Sequence, residues 1–512
     1  MFRIYKNNTM HLLLSLCVII FILLASYGAS GGLRGSDQYW YVDDVNALLI
    51  GNGPISNNIY PASIFQETQL RLPRPFVHNF PIIYMVLPAA MLLGPFNGWI
   101  LINLLSSFLS VLLIGLTVKR STGDSNAAMG AGLFYLLLPV VFWNSIQTLS
   151  EPSLSFGVSL FLWIYVSEIP SFRRFLFLTI VTGLLFLSKS NFILLFPLIL
   201  LSFLIHTKSL SRNNLLSALV LIAILFFFFT LSHFFFASNF DYSYIDALMM
   251  ATSKYPSNMA QYYAPESLNF SLLPFLFKVA HNLKTQITGG NLISFLLFYL
   301  PFNASVAGVV LLAVRKRIID RPVQAAAVFV GIFLITIAVF QNQFRYQLMA
   351  WPAVVVALFH LAQKQGLLKP QKWKAVFTLI LVFSAGLVFF ALAREVKTSG
   401  EAEAQIVHEI QQQLTEIIPE SSRVMLISGG GEGKRLLMGH ALWPRLVVFT
   451  KPDFYSQEQF SYLMDKTNCD WLLAQKGEAE KSGLPISHNR AVPLPAPYGD
   501  FELYNLAQRK NK

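Results

Sequence analysis

MHLLLSLCVIIFILLASYGA (residues 10–29) passes without an Asp, Glu, Lys or Arg into SGGLRGSDQYWYVDDVNALL (residues 30–49), where Arg34, Asp37, Asp43 and Asp44 follow at once. At 1.5 Å per helical residue an apolar run of this length reaches across a hydrocarbon core of about 30 Å. The chain therefore enters a membrane with its first helix and sets carboxylates at the boundary where it leaves. Arg3 and Lys6 ahead of the run, and the small residues Ala25, Gly28 and Ala29 at its end, are shared with signal peptides; the length of the run favours an uncleaved span.

The same signature continues along the chain. Over 512 residues, 54% are hydrophobic and only 12% charged, and mean hydropathy is +0.54. Soluble domains carry about a quarter charged residues, so an ordinary soluble fold is excluded. Residues 400–512 hold 14 of the 26 acids and 12 of the 38 basic residues by direct count. An acid in or beside hydrocarbon costs several kcal/mol unless it meets water or a partner, so each of the remaining acids needs a reason. The net charge of +12 sits in short loops between apolar runs, as the positive-inside rule requires, and calls for no nucleic-acid partner.

Further apolar runs lie at 79–94, 97–118, 126–147, 151–168, 174–188, 191–206, 214–237, 291–314, 322–340, 343–362 and 372–395. Lys119-Arg120, Arg173-Arg174, Lys208 with Arg212, Arg315-Lys316-Arg317 with Arg321, and Lys364 to Lys374 fall between them and mark the cytoplasmic side. A cytoplasmic N-terminus and an outer C-terminus then require one run not to cross. The run 79–94, short and holding Pro81 and Pro88, is the expected half-helix, leaving about eleven spans. Two long outer segments follow, 31–78 and 238–290. Amphipathic stretches at Val42–Leu49 and Leu272–Leu283 suit the interface. A membrane domain thus occupies 1–398 and an accessory domain 399–512. The latter reads as small α/β: helices near 402–417 and 456–466, and strands near 423–428, 445–450, 470–475 and 501–505.

The candidate residues gather on the outer side. They are Asp37 with Tyr41, then Val45, Leu49 and Gly51; His78-Asn79-Phe80-Pro81; Leu149-Ser150-Glu151-Pro152; and Phe344-Arg345-Tyr346 leading to Trp351-Pro352. Their order among the spans resembles the GT-C glycosyltransferases that use polyprenyl-phosphate sugars, the group holding protein O-mannosyltransferases and lipid A aminoarabinose transferases. Gln38 stands where many members carry a second acid.

The resemblance implies an all-α polytopic membrane fold of the GT-C type, with about 11–13 transmembrane helices and a small C-terminal α/β extracytoplasmic domain, in a bacterial inner membrane. It implies an inverting transfer of sugar from a polyprenyl-phosphate donor to a glycan, lipid or protein acceptor of the periplasm or envelope. Asp37 is then the general base and Glu151 its companion, with Tyr41 and His78 positioning. Lys189 and Arg345, in the short outer turns 187–191 and 341–345, and more weakly Arg74, would stabilise the leaving phosphate.

Plainer readings stand beside these. Ser36 or Asp37 caps a helix starting at Gln38; Asp43 and Asp44 form a solvated face; Glu151 before Pro152 is a helix start; Lys189 and Arg345 reach to headgroups. His233 and His281 read as packed or interfacial. No His, Cys and acid cluster at zinc spacing occurs, so a structural metal is not expected, and a divalent cation at Asp37 and Glu151 is left open. Cys17 and Cys469 lie too far apart in character to suggest a disulfide. Ser428 to Arg435 has the flavour of a phosphate loop but lacks its spacing, and reads as a turn after a strand. A transporter or flippase, and a non-catalytic subunit of an envelope polysaccharide complex, are the alternative functions.

Overall fold

A computed structural model describes residues 2–51, 55–56, 58–59, 74–75, 80–168, 171–207, 212–232, 272–339, 343–368, 374–428, 432–450, 456–481, 489–492, 494 and 501–506. The first helix, α1 (Phe2–Ala29), covers the opening apolar run. The chain then turns through Gly32 and Gly35, both at positive φ, into α2 (Ser36–Leu49). In the rest of the first outer segment, β1 (Ile55–Ser56) pairs antiparallel with β3 (Arg74–Pro75), and β2 (Asn58–Ile59) joins a distant sheet.

The bundle continues with α3 (Phe80–Leu93) and α4 (Pro95–Thr122). Fourteen residues give α3 only about 21 Å of length, short of the hydrocarbon core. Gly94, at φ 82°, makes the sharp turn into α4. The run 126–147, expected as one span, is two helices, α5 (Ser125–Leu136) and α6 (Pro139–Ser145), bent by 59°. The physical reason is Pro139, which cannot donate to the preceding turn.

Then come α7 (Glu151–Val166), α8 (Ser171–Ser188), a 3-10 turn at Ser190–Leu194, α9 (Leu195–Thr207) and α10 (Arg212–Ser232). After them stand α11 (Leu272–Thr288), α12 (Leu292–Lys316), α13 (Arg321–Val339), a second 3-10 segment at Phe344–Met349, and α14 (Trp351–Lys364). The run 343–362 therefore starts with a tight turn and becomes α-helical only at Trp351. Among the described residues α4, α12 and α13 are long and apolar enough to cross a membrane unaided, and the α5–α6 pair is a fourth, broken candidate. Rows of exposed Leu, Ile and Phe on α4, α10, α12 and α13 face outward from the core, as lipid contact requires.

The last bundle helix, α15 (Lys374–Leu414), is 41 residues long and carries straight on past position 399 into the C-terminal domain. It packs on the chain just past α1 through glycine. A Cβ on Gly400 would sit 2.7 Å from the Gly31 carbonyl oxygen, and one on Gly31 would sit 2.2 Å from that of Lys397. Only hydrogen at both positions permits this approach, which brings the entrance of α2 against α15.

The C-terminal domain is a six-stranded sheet in the order β2-β5-β4-β6-β8-β7. Its strands are β4 (Arg423–Ile427), β5 (Leu446–Thr450), β6 (Trp471–Gln475), β7 (Asn489–Val492) and β8 (Phe501–Asn505). β5, β4 and β6 run parallel, β8 runs antiparallel to β6, and β7 runs antiparallel to β8. The central strands are continuous apolar runs because both faces are covered. On one face Val424, Leu426, Val447 and Phe449 meet Ile410 and Leu414 of α15 and Leu437 and Met438 of α16 (Glu432–Leu442). On the other, Met425, Ile427 and Val448 meet Phe460, Leu463 and Met464 of α17 (Gln457–Thr467). Of the stretch expected as a turn after β4, residues 432–435 belong to α16 and residues 429–431 lie outside the described residues. Register pairs Asn58 with Val447 and Ile59 with Val448, so the first outer segment supplies an edge strand to this sheet.

Candidate active site

Asp37 lies in the first turn of α2, whose N-cap is Gly35 with no side-chain cap. The capping role weighed for Ser36 or Asp37 is therefore not the one observed. The Asp37 carboxylate accepts a hydrogen bond of 2.5 Å from Nη2 of Arg345. Arg345 turns its Nε toward Oε1 of Glu151 at 3.7 Å, and Lys189 Nζ donates to the same Oε1 at 3.4 Å. Four residues separated by up to 308 positions form one alternating acid–base cluster.

Each segment supports its member of the cluster. Glu151 opens α7, where the helix dipole favours a negative charge, and Pro152 follows without needing a donor. Being at a helix start and being in the cluster coexist. Glu151 is only 2% exposed. A buried carboxylate costs several kcal/mol unless paired, and Lys189 with Arg345 meets that demand. Lys189 follows the last turn of α8, and its amide is held by the Leu185 carbonyl. Arg345 sits in the 3-10 turn Phe344–Met349, wedged between α13 and α14. Both cations lie over the ring of Tyr346, Lys189 at 4.1 Å and Arg345 at 5.2 Å from its centroid. They meet carboxylates and an aromatic face at once.

Tyr41, one turn after Asp37 on the same face, is buried and stacked on Trp99, whose indole donates to the Tyr41 carbonyl. It fixes the helix against α4. Arg74 contributes its backbone to β3, its side chain being outside the described residues. His78 lies outside the described residues altogether.

Several residues do more here than the sequence reading assigned to them. Gln38 is buried at 3% exposure. Its amide nitrogen donates to Gln147 Oε1 at 3.0 Å and to the Arg34 carbonyl, and its oxygen accepts from the Thr148 amide at 3.3 Å. It ties the Asp37 turn to the segment leading into Glu151. A carboxylate could accept there but not donate, which accounts for an amide at this position.

Asp43 and Asp44, expected on a solvated face, are both buried. Asp43 bonds His440 Nδ1 at 2.6 Å, and Asp44 lies two turns from Asp37 on the same face. The reason is that α2 is covered on both sides, by the bundle and by the C-terminal domain. Glu403 of α15 accepts from the Gly35 amide and from the Tyr39 hydroxyl. The i, i+4 spacing of Tyr39 and Asp43 was the available signal: it marks a second face opposite Asp37 and Tyr41.

Asp37 and Glu151 have the Arg345 guanidinium between them, in the place a bridging cation would take. Among the described residues no group of three or more His, Cys, Asp or Glu side chains is placed to hold a metal ion. Chemically, the cluster offers a partly exposed carboxylate that accepts protons and two cations within reach of an anion.

Residues 79–233 match the family model of dolichyl-phosphate-mannose-protein mannosyltransferases. The matched stretch includes Glu151 and Lys189 and excludes Asp37 and Arg345. Among solved structures, the chain is similar to ArnT from Cupriavidus metallidurans bound to undecaprenyl phosphate. The TM-score is 0.56 at 14% identity over 96% of this chain and 97% of that one. It is similar also to ArnT of the same organism in the apo state, with a TM-score of 0.55 at 14% identity over 98% of each chain. No curated protein matches the sequence. The chain is a multi-pass membrane protein with the fold of the GT-C glycosyltransferases, as its sequence pattern implied.

Proposed function

We propose that this protein is an inverting glycosyltransferase that moves a sugar from a polyprenyl-phosphate donor to an acceptor in the periplasm or envelope, with its chemistry at the outer face of a bacterial inner membrane. The observation that carries the reading is the convergence of Asp37, Glu151, Lys189 and Arg345 from four separate segments onto one boundary point. The ArnT likeness, with one structure described as bound to undecaprenyl phosphate, supports a lipid-phosphate donor.

In this mechanism an acceptor hydroxyl attacks the anomeric carbon opposite the phosphate and passes its proton to Asp37. The new C–O bond forms as the old one breaks, and the bonding pair leaves on the phosphate oxygen. Lys189 and Arg345 stabilise the charge that gathers there, a role such groups fill best in a partly dry site. Glu151 holds the two cations in place. Tyr41 and Gln38 hold the turn that aims Asp37. Transfer from a lipid phosphate needs no nucleotide outside the cell, so the glycine-rich stretch from Ser428 to Arg435 has no donor role.

The test is Asp37→Asn in cells lacking the native copy, with envelope glycans and lipids read by mass spectrometry. Loss of one sugar in the deletion strain, restored by the native protein and not by the variant, is the expected outcome. A general base contributes about 10²–10⁴-fold, so residual transfer should fall by at least about a hundredfold while the protein accumulates normally. Full restoration by Asp37→Asn would refute the base, and liposome uptake or flipping without any missing glycan would favour a transporter.

A further inference from the structure

Helix α2 belongs to two hydrophobic cores at once. Tyr41, Val42 and Val45 are part of the bundle core, while Tyr39 and Trp40 are part of the core of the C-terminal domain. Fourteen residues make a helix that is marginal by itself, so its position is set by what grips it. On the bundle side the grip is Trp99 on the Tyr41 carbonyl and Gln147 with Thr148 on Gln38. On the domain side it is Glu403 at the first turn and His440 at the second.

The Asp43–His440 contact sets a buried carboxylate of α2 against the C-terminal domain. Asp43 is 2% exposed, its Oδ1 lies 2.6 Å from His440 Nδ1, and the His440 ring packs 5.0 Å from that of Tyr39. Burial by itself lowers the basicity of His440, but the charge of Asp43 and its hydrogen bond outweigh that and raise it. A carboxylate so buried is tolerable only when partnered. The pair therefore forms when α16 is seated on α2, and an unseated domain leaves Asp43 exposed to solvation.

Resting on the assignment of Asp37 as base, we infer that Asp43 and His440 are positioning residues, through which the C-terminal domain fixes the helix that carries Asp37. The distance along the axis from Asp43 to Asp37 is about 9 Å, at 1.5 Å per residue, and the helix transmits a shift without damping it. Misplacing a reacting group by about 1 Å costs on the order of a hundredfold in rate. The domain is thus part of the catalytic apparatus, and its sheet, completed by β2 from the same outer segment, is a second fastening of that segment.

The experiment uses the full-length protein in a strain lacking the native copy. His440→Ala and Asp43→Ala are each expected to cut glycan transfer about tenfold or more. Binding of undecaprenyl phosphate to the purified variants, followed by intrinsic fluorescence, should stay within about twofold, because the cations are untouched. The double variant should transfer no less than the weaker single one, since both remove one contact. His440→Asn, whose amide nitrogen stands where Nδ1 does and can still donate to Asp43, should recover most of the loss.

Transfer unchanged in His440→Ala while Asp37→Asn is inactive would overturn the positioning role and leave the base standing. Transfer retained by Asp37→Asn would overturn the base itself. If His440→Ala fails to accumulate in the membrane, Asp43→Leu decides, because it removes the bond while filling the space of the carboxylate: a loss of transfer of about tenfold or more at normal abundance is expected, and full transfer at normal abundance would overturn the inference.

Discussion

Both ends of the bundle hold a carboxylate gripped by cationic side chains, and they are built differently. At the end opposite α2, one oxygen of Asp320 accepts from His360 at 2.6 Å and from Lys364 at 2.7 Å. The two donors are one turn apart on α14, and Asp320 immediately precedes α13. The contact closes the α12–α13 link onto a single neighbouring helix, and each donor backs up the other. At the α2 end, Arg345 serves two acids and Glu151 serves two cations, and no two of the four share a helix. Removing one member of the first cluster leaves a pair; removing Arg345 from the second leaves two carboxylates facing each other. A local clip tolerates loss, while a site assembled from four segments is only as good as its shared member.

The largest effect expected from this contrast is therefore at Arg345. Arg345→Ala should lower transfer by about 10²–10³-fold, the usual loss when one charge-stabilising donor is removed. Arg345→Lys should recover little, because a single ammonium cannot present one nitrogen to Asp37 and another to Glu151. The measurement is the amount of transferred sugar in complemented cells at equal protein abundance. Recovery by lysine to within about threefold would reduce Arg345 to a point charge and remove the distinction from the Asp320 cluster. From the same geometry transfer is expected to withstand chelator, since a divalent cation at Asp37 and Glu151 would have to displace this guanidinium; loss of transfer in chelator, restored by a divalent ion, would refute this.

A middling effect is expected from Gln38→Glu. The substitution converts two donated hydrogen bonds into unmet acceptors and adds a buried charge near Asp37 and Glu151. A destabilisation of about 2–4 kcal/mol follows, with transfer falling alongside, while Gln38→Asn should cost less. Thermal unfolding of the detergent-purified protein checks the first figure. An acid tolerated at this position with full stability would mean that the Gln147 and Thr148 contacts are not what fastens the turn.

How much of this was readable beforehand follows the same divide. The helices of the bundle were legible because hydrocarbon demands long apolar runs, and the strands at 423–427, 446–450 and 471–475 because a sheet covered on both faces is apolar throughout. Asp37 and Glu151 could be named because their motifs resemble those of a known family, and Lys189 and Arg345 because charge beside hydrocarbon is costly and needs a reason. Their mutual contacts could not, since separations of up to 308 residues leave no trace in local periodicity. The break at Pro139 and the burial of Asp43 were misjudged for opposite reasons. One is a local signal outweighed by the length of the run around it. The other depends on a domain 397 positions away, which turns a polar helix face into an interface. The edge strand at Asn58–Ile59 is of the same kind, as two residues carry no strand signature without the β5 edge that receives them.

The smallest effect separates stability from chemistry. Asp320→Asn should lower the stability of the purified protein by about 1–2 kcal/mol through weakened bonds to His360 and Lys364, and should leave transfer per folded molecule unchanged. Burial pushes the Asp320 carboxyl up, but the hydrogen bonds from Lys364 and His360, with their charge, outweigh it and hold the group below the usual carboxylate range. A depressed carboxylate contributes stability that is fully present above its unfolded value, about pH 3.9, and is lost as pH falls through the folded one. The difference in thermal midpoint between native and variant protein should accordingly hold from neutral pH down to about pH 4 and shrink below it. A difference that persisted undiminished at lower pH would show that Asp320 acts by shape, and a loss of transfer at normal stability would make this end of the bundle part of the working site.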